Sequence, residues 1–346
     1  MPGLYSHTSR ATGITLTAAI YNADHQNHID NQTAQMTDDY SVDNTQMQAT
    51  ADPGEVGTES KATSLAGELE RLRFALKEIK QSAQWYESPT NTLPRSYLAG
   101  LTLSNNATDP TNDIDIAVGT CQNSTNAHNL ILASALTKRL DAAWTVGTNQ
   151  GGLDTGTIAN DTYHVHLIKR SDTGVVDALF SLSATAPTMP ASYDFRRRIG
   201  SIIRAGGTIV AFTQDGDYFQ VNVPVNEWNE NIAGTTAVTK TLTRVPTGIN
   251  ALWHGFLALR TPIAGATMAI LASDLATTDT APVTVPSGGI GQVFSNPQAA
   301  ILDDGGEVQV RTNTSAQIRM RANSTTGTPS WGGTSKGWWD RRGRDD

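Results

Sequence analysis

Cysteine is almost absent from this chain of 346 residues, which carries only Cys121. That excludes an intrachain disulfide and any cysteine-based metal framework. A lone Cys reads as a small apolar residue. Hydrophobic residues make up 38% of the chain and aromatic residues 6%, little for a single large core. Charge is sparse too: 25 Lys and Arg stand against 33 Asp and Glu, a net charge of −8. Such a balance excludes binding to a nucleic-acid backbone, which needs clustered basic residues. The basic end Arg341, Arg342 and Arg344 is followed by Asp345 and Asp346 and reads as self-compensated. No apolar run approaches the roughly 20 residues of a membrane-spanning helix. The opening MPGLYSHTSR has no apolar signal-peptide core. The expectation is a protein made and kept soluble, with no membrane span.

Thr, Gly, Asn, Ser and Ala fill the space these absences leave, and the character of the chain changes near residue 87. Before it, residues 1–62 are polar and mixed, with a short helix expected over 18–31 and a turn at Asp52-Pro53-Gly54. Such a segment buries little by itself. Residues 63–87 hold the clearest local pattern. Leu65, Leu69, Leu72, Leu76, Ile79 and Ala83 are spaced 4, 3, 4, 3 and 4 apart. That is a heptad seam, with Leu69, Leu76 and Ala83 at a and Leu65, Leu72 and Ile79 at d. Leu at a with a β-branched residue at d favours three or more strands over two. Under three heptads are too few for stability alone. The expectation is a trimerisation helix.

Residues 88–111 read as a linker, broken by Pro89, Pro94 and Pro110. Beyond it the period becomes two. Strands are expected over 114–119, 129–134, 162–170, 175–183, 197–203, 208–214 and 217–223, with hairpins at Thr173-Gly174 and Asp215-Gly216. In 162–170, Tyr163, Val165, Leu167 and Lys169 share one face, and His164, His166, Ile168 and Arg170 a more polar one. A second set is expected over 236–245, 251–260, 266–273, 288–295, 307–312 and 316–322. The fold class is therefore mainly β with a short N-terminal helical part. The β region divides into two antiparallel sandwich or jelly-roll modules, 112–228 and 229–346. The second ends in a Gly- and Trp-rich tail, SWGGTSKGWWDRRGRDD, expected to wrap the body rather than form a strand.

Chemistry is harder to find. No nucleophile elbow, phosphate loop or dinucleotide fingerprint is present. Asp215, Asp217, Asp303 and Asp304 sit near turns, where Asp serves turn geometry more often than a carboxylate pair for glycoside cleavage. His25 and His28 lie three apart beside Asp24 without further ligands. His164 and His166 lie two apart on one strand face. In a threefold assembly, three such pairs converging on the axis would offer imidazoles to a metal. The default expectation is no metal, no cofactor and no catalytic residue. Trp331, Trp338 and Trp339 are candidates for stacking on sugar rings.

The segment YSHTSRATGITLTAAIYNADHQNHIDN resembles the opening of tailed-bacteriophage fibre and minor virion structural proteins. Arg10, Ala11, Gly13, Leu16, Thr17, Ala18, Tyr21, Asn22, Asp24, His25, Asn27 and Asn31 stand in that pattern, and a SLAGEL-type helix follows. WTVGTNQGGLDTG, TYHVHLIKR, DALFSLS, YDFRRRIGSII and the ending GWWDRRGR resemble the bodies of such proteins. The resemblance implies a homotrimer that is not an enzyme. Residues 1–62 would anchor it to the virion through Arg10, Leu16, Tyr21, Asn22, His25 and Asn27, and distal β modules would face outward. It implies a tail fibre, proximal or complete, assembled in the host cytoplasm. Its partners would be itself, other tail, neck or capsid proteins and a host-surface glycan. A head or collar fibre, or an adaptor to another receptor-binding protein, is the alternative. A polysaccharide depolymerase spike would show long parallel β-helix repeats, which are not visible here.

Overall fold

The structure is a computed structural model that describes residues 72–77, 79, 85, 93–262, 267–283, 292–295 and 302–344. It divides into two units, Met1–Thr92 and Leu93–Asp346. In the first unit residues 72–77 and 79 are helical, and the Arg73 guanidinium lies 5.0 Å from the centre of the Trp85 ring. Leu72 and Ile79 are 58% and 78% exposed. Leu76 of the same seam is helical and half-buried. The seam residues Leu65, Leu69 and Ala83 lie outside the described residues, as do the anchoring candidates Arg10, Leu16, Tyr21, Asn22, His25 and Asn27.

The second unit is built of strands: β1 (Leu98–Gly100), β2 (Leu103–Asn105), β3 (Asp113–Ile116), β4 (Gly119–Gln122), β5 (Asn129–Leu132), β6 (Leu136–Ala143), β7 (Gln150–Leu153), β8 (Thr162–Arg170), β9 (Val176–Ser181), β10 (Tyr193–Ala205), β11 (Thr208–Ile209), β12 (Phe212–Asp215), β13 (Tyr218–Asn231), β14 (Val238–Thr241), β15 (Leu252–Thr261), β16 (Met268–Ser273), β17 (Gln292–Ser295), β18 (Leu302–Arg311), β19 (Gln317–Ala322) and β20 (Ser330–Trp339). They form four sheets. An eight-stranded sheet runs β11-β10-β8-β9-β7-β6-β3-β2, beside a three-stranded sheet β1-β4-β5. A five-stranded sheet runs β12-β13-β20-β15-β18, beside a four-stranded sheet β14-β19-β16-β17.

The hydrophobic pattern explains most of this. β15 alternates without a break: Trp253, Leu257 and Leu259 are buried, while His254, Phe256, Ala258 and Arg260 face outward. β19 does the same with Ile318, Met320 and Ala322 inward. These residues join Leu103, Ile114, Phe180 and Ile202 of the eight-stranded sheet in one contiguous core. The chain crosses between the large sheets at Val210–Ala211. TIVAFTQ, read from sequence as one strand, is split there into β11 and β12, which lie in different sheets. Side chains then bridge the two sheet edges: Leu103 N donates to Gln214 Oε1 at 2.7 Å, and Phe212 N to Asn105 Oδ1 at 3.1 Å.

The structure departs from the sequence reading in three further ways. The expected linker contains β1 and β2, so the β unit begins before residue 112. Pairing is not purely antiparallel, because β7 runs parallel to both β6 and β9. The chain doubles back after β6, and Lys138 pins the return: its Nζ donates to Thr145 O at 2.7 Å and sits 3.3 Å from Asp177 Oδ1, both side chains fully or almost fully buried. Finally, the Trp-rich end is not a wrapping tail. β20 pairs with β13 on one side and β15 on the other, at the centre of its sheet. Its glycines deceive a sequence reading. A Cβ on Gly333 would lie 2.2 Å from the Trp228 ring, so the missing side chain is the space that ring fills.

Candidate functional site on the five-stranded sheet

Two β-bulges decide what the outer face of this sheet displays. His254 pairs with Gly337 and Gly255 with Ser335, so Lys336 has no counterpart on β15. The extra residue resets the alternation. Trp338 turns inward and stacks on Phe219, ring centres 5.3 Å apart, while its neighbour Trp339 stays half-buried on the outside. A second shift between Asn226 and Trp228 leaves both Asn226 and Asn229 exposed.

Around Trp339 the face is aromatic and charged. The Trp339 ring lies 4.5 Å from that of Tyr218 and 5.4 Å from that of His254. The Tyr218 hydroxyl and His254 Nδ1 are 2.8 Å apart, and His254 Nε2 is 3.3 Å from Glu307 Oε2. Lys336 Nζ donates to the other Glu307 oxygen and lies 5.8 Å from the centre of the Phe256 ring. Hydrogen bonds from Lys336 first and His254 second hold the Glu307 carboxyl below the usual carboxylate range. Burial, with Glu307 adding to it, pushes the Tyr218 phenol up.

Of the three tryptophans singled out from sequence, only Trp339 is available at this face. Trp331 is 3% exposed, its Nε1 donates to Glu230 Oε1 at 3.1 Å, and Lys240 Nζ lies 5.8 Å from the Trp331 and Trp228 rings alike. Trp338 is 1% exposed. Neither ring offers a free face for a sugar to stack on. The signal that separates them from Trp339 is the bulge at Lys336, which sequence periodicity does not reveal.

His164 and His166 do share one face of β8, but that face is buried, each residue being 1% exposed. His166 Nε2–H donates to Ser183 O at 3.0 Å, and Gly248 lies close against His164. The expected polar strand face is therefore corrected, and imidazoles enclosed within one chain do not converge on an axis between chains as the threefold possibility required. Among the described residues no group of three or more His, Cys, Asp and Glu side chains is placed to hold a metal. His164 Nδ1 lies 3.0 Å from Ser201 Oγ, which donates to Asp340 Oδ2 at 3.0 Å. The order is wrong for activating a nucleophile. In that chemistry the hydroxyl donates to the imidazole and the imidazole to the carboxylate. Here the hydroxyl proton goes to the carboxylate, and all three groups are buried.

The same network secures the end of the chain. Arg198 Nη1 donates to both oxygens of Asp340, at 2.9 and 2.6 Å, and Arg342 N donates to Oδ1 at 2.7 Å. Arg342 is buried, and its guanidinium donates to the carbonyls of Ile199, Gly100 and Leu101 at 2.8, 3.0 and 2.5 Å. Arg344 pairs with Asp217. The basic end is thus compensated by the body of the unit.

No family model matches the chain, and no curated protein matches it. Among solved structures it is similar to the infectious bursal disease virus VP2 subviral particle, at 12% identity over 73% of each chain with a TM-score of 0.18. It is also similar to a structure of the Gx strain of that virus, at 11% identity over 69% of each chain with a TM-score of 0.18. Overlays at this level define no common fold.

Proposed function

We propose that the chain is a homotrimeric structural protein of a tailed-bacteriophage virion, a tail fibre in whole or in its proximal part. It displays its β unit for attachment to the host surface and works by assembly, without catalysis or a cofactor. The observation that carries this reading is the pair Leu72 and Ile79. They stand one heptad apart in helical residues and are 58% and 78% exposed in the single chain. Large apolar side chains at that spacing are covered when copies of the same seam pack together. The resemblance of residues 1–62 to virion-anchoring segments supports the particle context. The β unit supports display, since Leu93–Asp346 has its own core and an outer face rich in aromatic and polar groups. Among the described residues no helix is long and apolar enough to cross a membrane.

The double substitution Leu72→Asp with Ile79→Asp tests the reading. The variant is expected to run as a monomer by light scattering while its far-ultraviolet spectrum keeps the β signature. An oligomer mass unchanged from that of the parent would remove the helix from assembly and the reading with it.

A further inference from the structure

The outer face of the five-stranded sheet has a second half, beyond Phe256 and away from Trp339. There Ala258 pairs with Gly305 on one side and Gly332 on the other. The Phe256 ring lies over Gly305, where a Cβ would fall 2.4 Å from it, so the open floor is Ala258 and Gly332. The rows on either side are taller. Phe256 and Thr334 pair on one flank, and Arg260 pairs with Asp303 and with Ser330 on the other. The two bulged asparagines, Asn226 and Asn229, close the third side from β13. The result is an open depression of about 360 Å³.

Its polar lining is unspent. Among the described residues the side chains of Asn226, Asn229, Ser330 and Thr334 make no hydrogen bond, and Arg260 and Asp303 only face each other at 3.7 Å, 59% and 75% exposed. The two carboxylates beside these asparagines in sequence bond to inward-facing groups and are committed instead. Glu227 accepts from Thr243 N, Arg244 N and Ser335 Oγ at 2.8, 3.1 and 2.6 Å, and Glu230 is taken by Lys240 and Trp331. Free hydrogen-bonding capacity is therefore concentrated around one flat, small-residue floor.

We propose that this depression binds one residue of a neutral saccharide. Two carboxamides, each able to donate and accept, match the vicinal hydroxyls of a sugar ring. Arg260 and Asp303 add a donor fork and an acceptor, and their charges cancel, so the lining has no net attraction for an anion. The floor of Ala258 and Gly332 lets the ring lie flat against β15 and β20. The size is that of an ordinary small-ligand site. The assignment rests on the reading of the β unit as the displayed part of the protein. It moves recognition from the tryptophans singled out by sequence to residues that sequence did not mark.

The test is a glycan array of neutral, sialylated and phosphorylated oligosaccharides probed with the full chain, followed by calorimetry on the best neutral ligand. Two variants go alongside: Asn226→Ala with Asn229→Ala, which removes donors and acceptors, and Ala258→Leu, which fills the floor at an exposed position. Gln309→Ala, exposed on the same face outside the depression, is the control. Selective binding of neutral glycans, weakened about tenfold or more by each variant and unchanged by the control, is expected. Equal binding by the parent and both variants would place the saccharide elsewhere. A preference for anionic glycans, or no glycan bound at all, would overturn the assignment. Failure of the display reading itself shows separately, as a monomeric mass for the parent protein.

Discussion

Asp340 keeps a charge in the interior because its donors outweigh its burial. Burial works to raise its carboxyl, but Arg198, the Arg342 amide and the Ser201 hydroxyl together hold it below the usual range. Replacing it with Asn removes the carboxylate that both Arg198 hydrogen bonds at Asp340 reach, and a loss of about 3–5 kcal/mol is expected, read as a lower urea midpoint. The neighbouring imidazoles set a pH dependence. Burial depresses His164 from 6.5 to about 4 and His166 from 6.5 to about 3. Below pH 6.5 the unfolded chain takes up protons that the folded unit refuses, so stability falls as pH drops from 6.5 toward those values. Asp340 adds to this lower down, its contribution being lost as pH falls below 3.8. The urea midpoint at about pH 5 should lie below that at about pH 7.5, and His166→Gln should flatten the difference. A midpoint independent of pH across that range would contradict the burial of both rings. None of this network was legible in the sequence. His164, Ser201 and Asp340 lie on β8, β10 and just past β20, and only the fold brings them together.

Single strands were legible where their alternation was clean. The expected span 162–170 is β8 to the residue, and the Asp215-Gly216 turn does join β12 to β13, with Gly216 at a positive φ of 59°. β6 escaped notice because Lys138 occupies an inward position between Leu136 and Leu140, where a pattern reader expects an apolar residue. β20 escaped because Gly332, Gly333 and Gly337 read as a loop, whereas the Trp228 ring occupies the space at Gly333 and the Tyr218 ring that at Gly337. Gly333→Ala tests that account. Its Cβ would fall on the Trp228 ring, a side chain held in the core, and overpacking of this kind costs about 1–3 kcal/mol. A matched substitution at Gly234, in open surroundings, should change the urea midpoint little. Equal effects at the two positions would show that the ring does not depend on the gap.

At the scale of the molecule, composition and periodicity gave mainly β structure after a short helix, and the described residues have that character. They could not give sheet membership. Strands consecutive in sequence, such as β18 and β19 around the Asn313-Thr314 turn, fall in different sheets, because the chain changes layer at turns that look like hairpins. Nor could they give the depression, which depends on register across β13, β15, β18 and β20. The central claim, that a helical seam assembles three copies and leaves a folded β unit free to display its face, is tested most directly by the light-scattering mass of the purified full chain. The account predicts three times 36.9 kDa in an elongated particle. A compact particle of 36.9 kDa would contradict it.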